Sequence, residues 1–243
     1  MFDLHSHFLP GIDDGPASLS DTLDILRAAA AEGIEGMVAT PHRKDVTEKL
    51  SIEALRTLFE AVTLAARRAS IRIDLHLGME NHLSADLPQQ IDNGFALTIA
   101  STSFILVEIP FVQYPDYIDD TVRALKLRGL TPIIAHPERQ EDIQQRPNLL
   151  RDLIDRGVLS QITAGSVLGK FGLEAKSSAK ELAEKGLVHL LATDTHSSRG
   201  WRAPNLTPAM AQMSKWIGEE QARKMVVDVP KTILNGNYFE SAR

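Results

Sequence analysis

Imidazoles and carboxylates recur at the ends of short apolar runs along this chain. His5 and His7 close the first run, MFDLHSH, and His42 closes IEGMVATPH. Glu80 follows in IRIDLHLGMEN, Glu108 in FILVEIP, His136 in LTPIIAHPE, and Asp194 with His196 in LVHLLATDTH. In an extended segment residues i and i+2 share a face, so His5 and His7 aim together, as do Asp194 and His196. Imidazole nitrogen and carboxylate oxygen suit Zn, Mn or Fe, and a carboxylate can bridge two ions. Asp13 and Asp14, in PGIDDGP after the first run, add carboxylates beside the same group. Spacing alone does not choose between those two.

A single His at a strand end is ordinarily structural or solvated. The joint pattern carries the reading, because five of the eight histidines occupy such ends. Unpaired in one cleft, so many ionisable groups repel and lose hydration, a cost that bound cations remove. His76, His82 and His189 lie outside the pattern and read as structural or exposed.

Such a constellation needs a scaffold that brings six run-ends to one rim. The apolar runs alternate with helical patterns. A helix starts at Ser18 or Ser20 as N-cap and stops at Gly33. A long amphipathic helix is expected over 48–69 and a short one over 84–93. Others follow over 115–128, 147–156 and 174–185, and two more near 206–218 and 219–226, with a last turn at 230–235. VLSQITAG supplies the remaining strand. Seven strand–helix units imply parallel pairing, and seven in succession predict a barrel more than an open sheet. In parallel barrels the C-terminal strand ends converge on the active site. No linker, repeat or low-complexity tract interrupts the pattern, so residues 1–243 read as a single domain. No Gly-rich dinucleotide or P-loop fingerprint follows any strand.

Composition narrows the chemistry. The chain has 243 residues, a barrel-sized length, and a net charge of -6, which disfavours nucleic acid and anionic lipid as partners. It has no Cys, so disulfides and a cysteinyl-phosphate route are excluded. The N-terminus lacks the basic start and apolar core of a secretion signal. No run of about 18 apolar residues offers a membrane span. A cytoplasmic enzyme without membrane insertion is expected, free to act beside a membrane partner.

HSH near the N-terminus, then PGIDDGP, TPH, GME, VEIP, AHPER and TDTH resemble, in order, the motifs of the PHP (polymerase and histidinol phosphatase) superfamily. The pattern is most similar to the CpsB/CapC-type bacterial protein-tyrosine phosphatases, and it spans residues 3 to about 204. The resemblance implies a distorted, TIM-like (β/α)7 barrel carrying three divalent metals, Mn foremost and Fe, Zn or Co as alternatives. It implies His5, His7, Glu80 and Asp194 around one ion. Glu80 would bridge to a second ion held by Glu108 and His136, and Asp14, His42 and His196 would hold the third. It favours Asp14 over Asp13. Family arginines that hold phosphate correspond to Arg139 in AHPER and to Arg202. Around Arg202 the family's usual Arg-Pro-Pro is replaced by Arg-Ala-Pro, and Arg199 stands three residues away, so both arginines stay candidates.

The expected reaction is hydrolysis of phosphotyrosine monoesters. A metal-bound hydroxide would attack in line, since a bound ion lowers the pKa of water from about 15.7 to roughly 7. Arg139 would stabilise the equatorial oxygens. The implied substrate is a membrane-associated tyrosine autokinase controlling capsular or exopolysaccharide synthesis. A small-molecule phosphatase such as one for histidinol phosphate is the alternative, ahead of a phosphodiesterase or a metal-binding subunit without turnover. Oligomeric state is not legible. FVQYPDY, residues 111–117, would border the mouth, and Trp201 could stack on a phenyl ring.

Overall fold

Burial of the apolar runs against one another, all in parallel, builds the wall of the barrel. In the computed structural model, which describes residues 1–236, the chain runs β1 (Phe2–Ser6), α1 (Leu19–Ala31), β2 (Gly36–Ala39), α2 (Arg43–Lys49), α3 (Ile52–Arg68), β3 (Asp74–Leu77), β4 (Glu80–His82) and α4 (Leu87–Asp92). It continues through β5 (Phe104–Glu108), α5 (Ile118–Leu127), β6 (Thr131–Ala135), α6 (Glu141–Gln145), α7 (Asn148–Ile154), β7 (Leu159–Thr163), α8 (Ala164–Val167), α9 (Leu173–Glu184) and β8 (Leu190–Ala192). α10 (Leu206–Ile217), α11 (Glu219–Arg223) and α12 (Val229–Leu234) complete it. The last seven positions of the expected 1–243 domain lie outside the described residues.

The third apolar run is two strands rather than one. β3 pairs with β2, and the chain then changes sheets at Gly78, so the strands form β1-β2-β3 and β4-β5-β6-β7-β8. A Cβ at Gly78 would stand 3.2–3.3 Å from Ile99 and Val38, so glycine lets the crossing chain pass close. The two sheets meet again at the C-terminal ends of the strands. Ser6 bridges Thr195 and His42 bridges Glu80, and Asp194 N donates to His5 O at 2.9 Å. The wall therefore closes, and the strand-end residues face one another across the mouth.

Caps explain the helix boundaries. Ser18 Oγ accepts from Asp21 N at 3.2 Å and starts α1. The single helix expected over 48–69 is instead α2 and α3. Leu50 is extended (φ -138°, ψ 159°) and Ser51 caps the second helix through Ala54 N. The expected turn at 230–235 is helical, joined to α11 through a π-helical stretch, Lys224–Asp228. Both faces of β5 are buried: Phe104 and Leu106 pack in one apolar cluster, Ile105 and Val107 in another. Among the described residues, no helix is long and apolar enough to cross a membrane.

Candidate metal centre

At the mouth, two imidazoles and two carboxylates converge on one point. His5 Nδ1 lies 2.8 Å from Gln161 Oε1, and His7 Nδ1 lies 2.7 Å from Asp13 Oδ2. Both partners are acceptors, so each Nδ1 carries its proton toward them and each Nε2 faces the centre. The two Nε2 atoms are 3.2 Å apart. Each lies 3.4 Å from Glu80 Oε2 and 3.5 Å from Asp194 Oδ1. Both Nε2 atoms therefore stand beside a carboxylate oxygen of Glu80 and one of Asp194, and imidazole nitrogen with carboxylate oxygen is a donor set that divalent ions take. All four residues are buried. The donor set fits a divalent ion.

Glu80 serves two sides at once. Its Oε1 lies 2.8 Å from His136 Nε2, which is 3.6 Å from Glu108 Oε1. His42 Nδ1 lies 2.9 Å from Glu80 Oε2, yet it is buried without a hydrogen-bonding partner. That orphaned nitrogen also fits an ion-binding role. His136 (φ 35°) and Asp194 (φ 53°) adopt left-handed backbone, rare outside glycine, directly after β6 and just past β8. Strain of this kind costs about 1–3 kcal/mol per residue and concentrates at functional sites.

A third cluster opens toward solvent. Asp14 Oδ1 lies 3.0 Å from His196 Nε2 and 3.9 Å from His42 Nε2. His196 Nδ1 donates to Asp194 O at 2.9 Å, which again turns Nε2 outward. The adjacent aspartates thus divide the work. Asp13, its side chain 1% exposed, holds His7 and the backbone N–H groups of His42 and Gly15. Asp14, 58% exposed, faces the open cluster. Gly15 permits this loop, since a Cβ there would lie 2.2 Å from His7 O. Among the described residues, candidate ion-holding groups are His7, Asp14, His42, His196; His5, His7, Glu80; His5, His136, Asp194; and His42, Glu80, Glu108. The nine residues expected from the sequence all come together.

Two arginines reach the same mouth. Arg139 Nη1 donates to Asp194 Oδ2 at 3.1 Å. Arg202 Nη1 donates to Asp14 Oδ2 at 2.6 Å, Nη2 contacts His196 Nε2, and Nη2 lies 4.0 Å from Asp194 Oδ1. Arg199 is exposed and makes no such contact. Of the two arginines the sequence left open, Arg202 is the one that contacts the mouth.

Electrostatics follow the geometry. Burial works against charge on Glu80, but His5, His136 and His42 outweigh it and hold the carboxyl well below the usual range. Burial likewise opposes charge on His7, while Asp13 and Glu80 overcome it and raise its pKa well above the ordinary imidazole value. A hydrogen bond with His196, only partly offset by burial, and then Arg202 lower Asp14. Protons and metal compete for the same Nε2 atoms, so binding an ion releases protons.

His82, expected to be structural or exposed, is 55% exposed, and its Nδ1 lies 2.7 Å from Glu108 Oε2. With His42, Lys44, Leu83, Phe111 and Tyr117, it lines a cavity of about 480 Å³ beside the cluster. The sequence signal for that place is its i+2 spacing from Glu80. His76 pairs with Asp74 at 3.1 Å, and His189 Nδ1 accepts from Ser160 N, so both are structural as expected. Trp201, 52% exposed, packs edge-on to Phe171.

A parallel α/β barrel whose strand ends carry imidazole and carboxylate clusters of this kind defines a metal-dependent hydrolase class. Within it, the chain belongs to the family described as Capsular polysaccharide synthesis, CpsB/CapC, whose model matches residues 1–235. Tyrosine-protein phosphatase YwqE of Bacillus subtilis (strain 168) is 34% identical over 239 residues, 98% of this chain and 94% of that protein. A solved structure, described as YwqE from Bacillus subtilis and CpsB from Streptococcus pneumoniae, unique metal-dependent tyrosine phosphatases, matches with a TM-score of 0.90. It is 30% identical and covers 98% of this chain and 96% of that one. A TatD family hydrolase from Entamoeba histolytica shares the fold at a TM-score of 0.56, with 10% identity and 98% of each chain covered. The expected TIM-like barrel is borne out.

Proposed function

We propose that this chain is a metal-dependent tyrosine-protein phosphatase of capsular polysaccharide synthesis. It hydrolyses phosphotyrosine monoesters at the barrel mouth. One observation carries this reading: the buried His5 and His7 Nε2 atoms stand 3.2 Å apart, each 3.4–3.5 Å from a carboxylate oxygen of Glu80 and of Asp194, and Arg139 is bonded to Asp194. The family and its tyrosine-phosphatase relatives support the choice of substrate.

The reading takes three divalent ions, Mn foremost. His5, His7, Glu80 and Asp194 would hold the first, Glu80 with Glu108 and His136 the second, and Asp14 with His42 and His196 the third. Bound divalent ions supply Lewis-acid activation of water and of phosphoryl oxygens. The chain's own residues do the rest. Gln161, Asp13 and the Asp194 carbonyl fix the ring orientations of His5, His7 and His196. Arg139 and Arg202 each release an N–H from a carboxylate to grip the phosphate, whose charge they neutralise as it spreads in the transition state. A phenolic leaving group has a pKa of about 10 and departs without a strong acid.

The same reading treats residues 1–243 as one domain, working in the cytoplasm. Its substrate is the phosphorylated tail of a membrane-associated tyrosine kinase of polysaccharide synthesis. Purified protein is assayed against a phosphotyrosine peptide, histidinol phosphate and a phosphodiester, with Mn, Fe, Zn and Co supplied in turn. Preference for the peptide is expected. Preference for histidinol phosphate, or no turnover with any ion, overturns the proposal.

A further inference from the structure

Arg139 does not stand free at the mouth. Its guanidinium carbon lies 4.6 Å from the Phe111 ring centroid and 4.2 Å from that of Phe171. The two rings come from opposite neighbours. Phe111 follows β5, Phe171 follows β7, and Arg139 follows the strand between them. Two rings packed against one guanidinium attract its charge and confine it between them. Within that seat Nη1 donates to Asp194 Oδ2 at 3.1 Å.

Phe171 touches more than Arg139. Its ring meets Trp201 edge-on at 5.3 Å, and Trp201 lies 5.4 Å from the Arg202 guanidinium carbon. A chain of ring and cation contacts thus runs from Phe111 through Arg139, Phe171 and Trp201 to Arg202. The seat of Phe171 is itself built. A Cβ at Gly165, in α8, would lie 2.5 Å from Phe171 Cε2, so glycine there leaves the room the ring occupies. The backbone of Arg139 is anchored separately. Glu138, fully buried, accepts from Thr163 N at 3.0 Å and Thr163 Oγ1 at 2.9 Å and ties that turn to β7.

We propose that Phe171, seated over Gly165, is a positioning residue that holds the Arg139 guanidinium in place for the phosphate. It acts through the arginine and does not touch the reacting atoms. The inference rests on the reading of Arg139 as a phosphate ligand.

The test uses full-length metal-loaded protein and its Arg139→Ala, Phe171→Ala, Phe171→Tyr and Gly165→Ala variants. Competitive inhibition by inorganic phosphate, KM and kcat for a phosphotyrosine peptide, metal content and melting temperature are read for each. Phe171→Ala is expected to weaken phosphate binding roughly 3- to 30-fold, the range of a partly desolvated cation–π contact, with metal content unchanged. Phe171→Tyr restores it, and Gly165→Ala reproduces the loss by displacing the ring. Adding Phe171→Ala to Arg139→Ala costs no further affinity, as shared action requires. If Arg139→Ala itself leaves phosphate affinity unchanged, the role of Arg139 is wrong. If Arg139→Ala weakens phosphate but Phe171→Ala lowers only melting temperature or metal content, the positioning role of Phe171 is overturned.

Discussion

Asp13 Oδ2 accepts from His7 Nδ1 at 2.7 Å, and this turns His7 Nε2 toward Glu80 and Asp194. A carboxylate behind a ligating imidazole fixes its tautomer and raises its basicity, and losing such a partner typically costs 10–100-fold in metal affinity or activity. Asp13→Ala is therefore expected to weaken metal binding by roughly that factor although Asp13 is no ligand itself. Metal titration checks it, and wild-type affinity in this variant would mean the contact orients nothing.

His136→Ala and Asp194→Ala are each expected to abolish turnover while the barrel still folds. Each removes one donor from the mouth and touches little of the apolar core. Circular dichroism and kinetics in metal-defined buffer decide. Wild-type rates in either protein would remove that residue from the site.

A strong chelator is expected to stop activity, and thiol alkylation to leave it untouched, since the chain has no Cys. Restoring metal at 100 times its dissociation constant stabilises the fold by about 2.7 kcal/mol. Thermal melts with and without metal read this directly. Activity that survives chelation contradicts the metal-dependent reading.

Arg202→Ala is expected to raise KM and lower kcat/KM by at least about tenfold, the loss of one charge-assisted contact to phosphate. Arg199→Ala is expected to stay near wild type, because Arg199 is exposed and Arg202 alone of the two contacts Asp14 and His196. Equal losses in both variants would return the choice to open.

Burial lowers His189 to about 4 from its ordinary value of 6.5, and its Nδ1 accepts from Ser160 N. A base whose folded pKa is depressed binds fewer protons folded than unfolded, so stability is full above pH about 6.5 and falls as pH drops toward about 4. His189→Gln is expected to flatten denaturation midpoints across that window. An unchanged slope would show that His189 titrates normally.

The gathering of candidate ligands at the mouth was legible because strand ends are a positional signal: an apolar run ending in His, Glu or Asp names both the residue and where it points. Asp13 and Asp14 were harder, since neighbours in a loop have no periodicity to separate them. The distinction emerged only from the turn that Gly15 allows. The same holds for Arg199 and Arg202. The break between α2 and α3 escaped notice because the amphipathic pattern continues across Leu50 and Ser51, while local capping interrupts the backbone. Phe111 was expected at the mouth, but no spacing rule could have joined Phe171 to Arg139 across 32 residues of chain.

The wall consists of two sheets that meet at the mouth, through Ser6 with Thr195 and His42 with Glu80. His5 and His7 approach from one side of these seams, Glu80 and Asp194 from the other. Whatever cation those four grip is then a rivet as well as a reagent. A cation held by all four would clamp one half-wall to the other, beside the backbone hydrogen bonds that already span the seam, such as Asp194 N to His5 O.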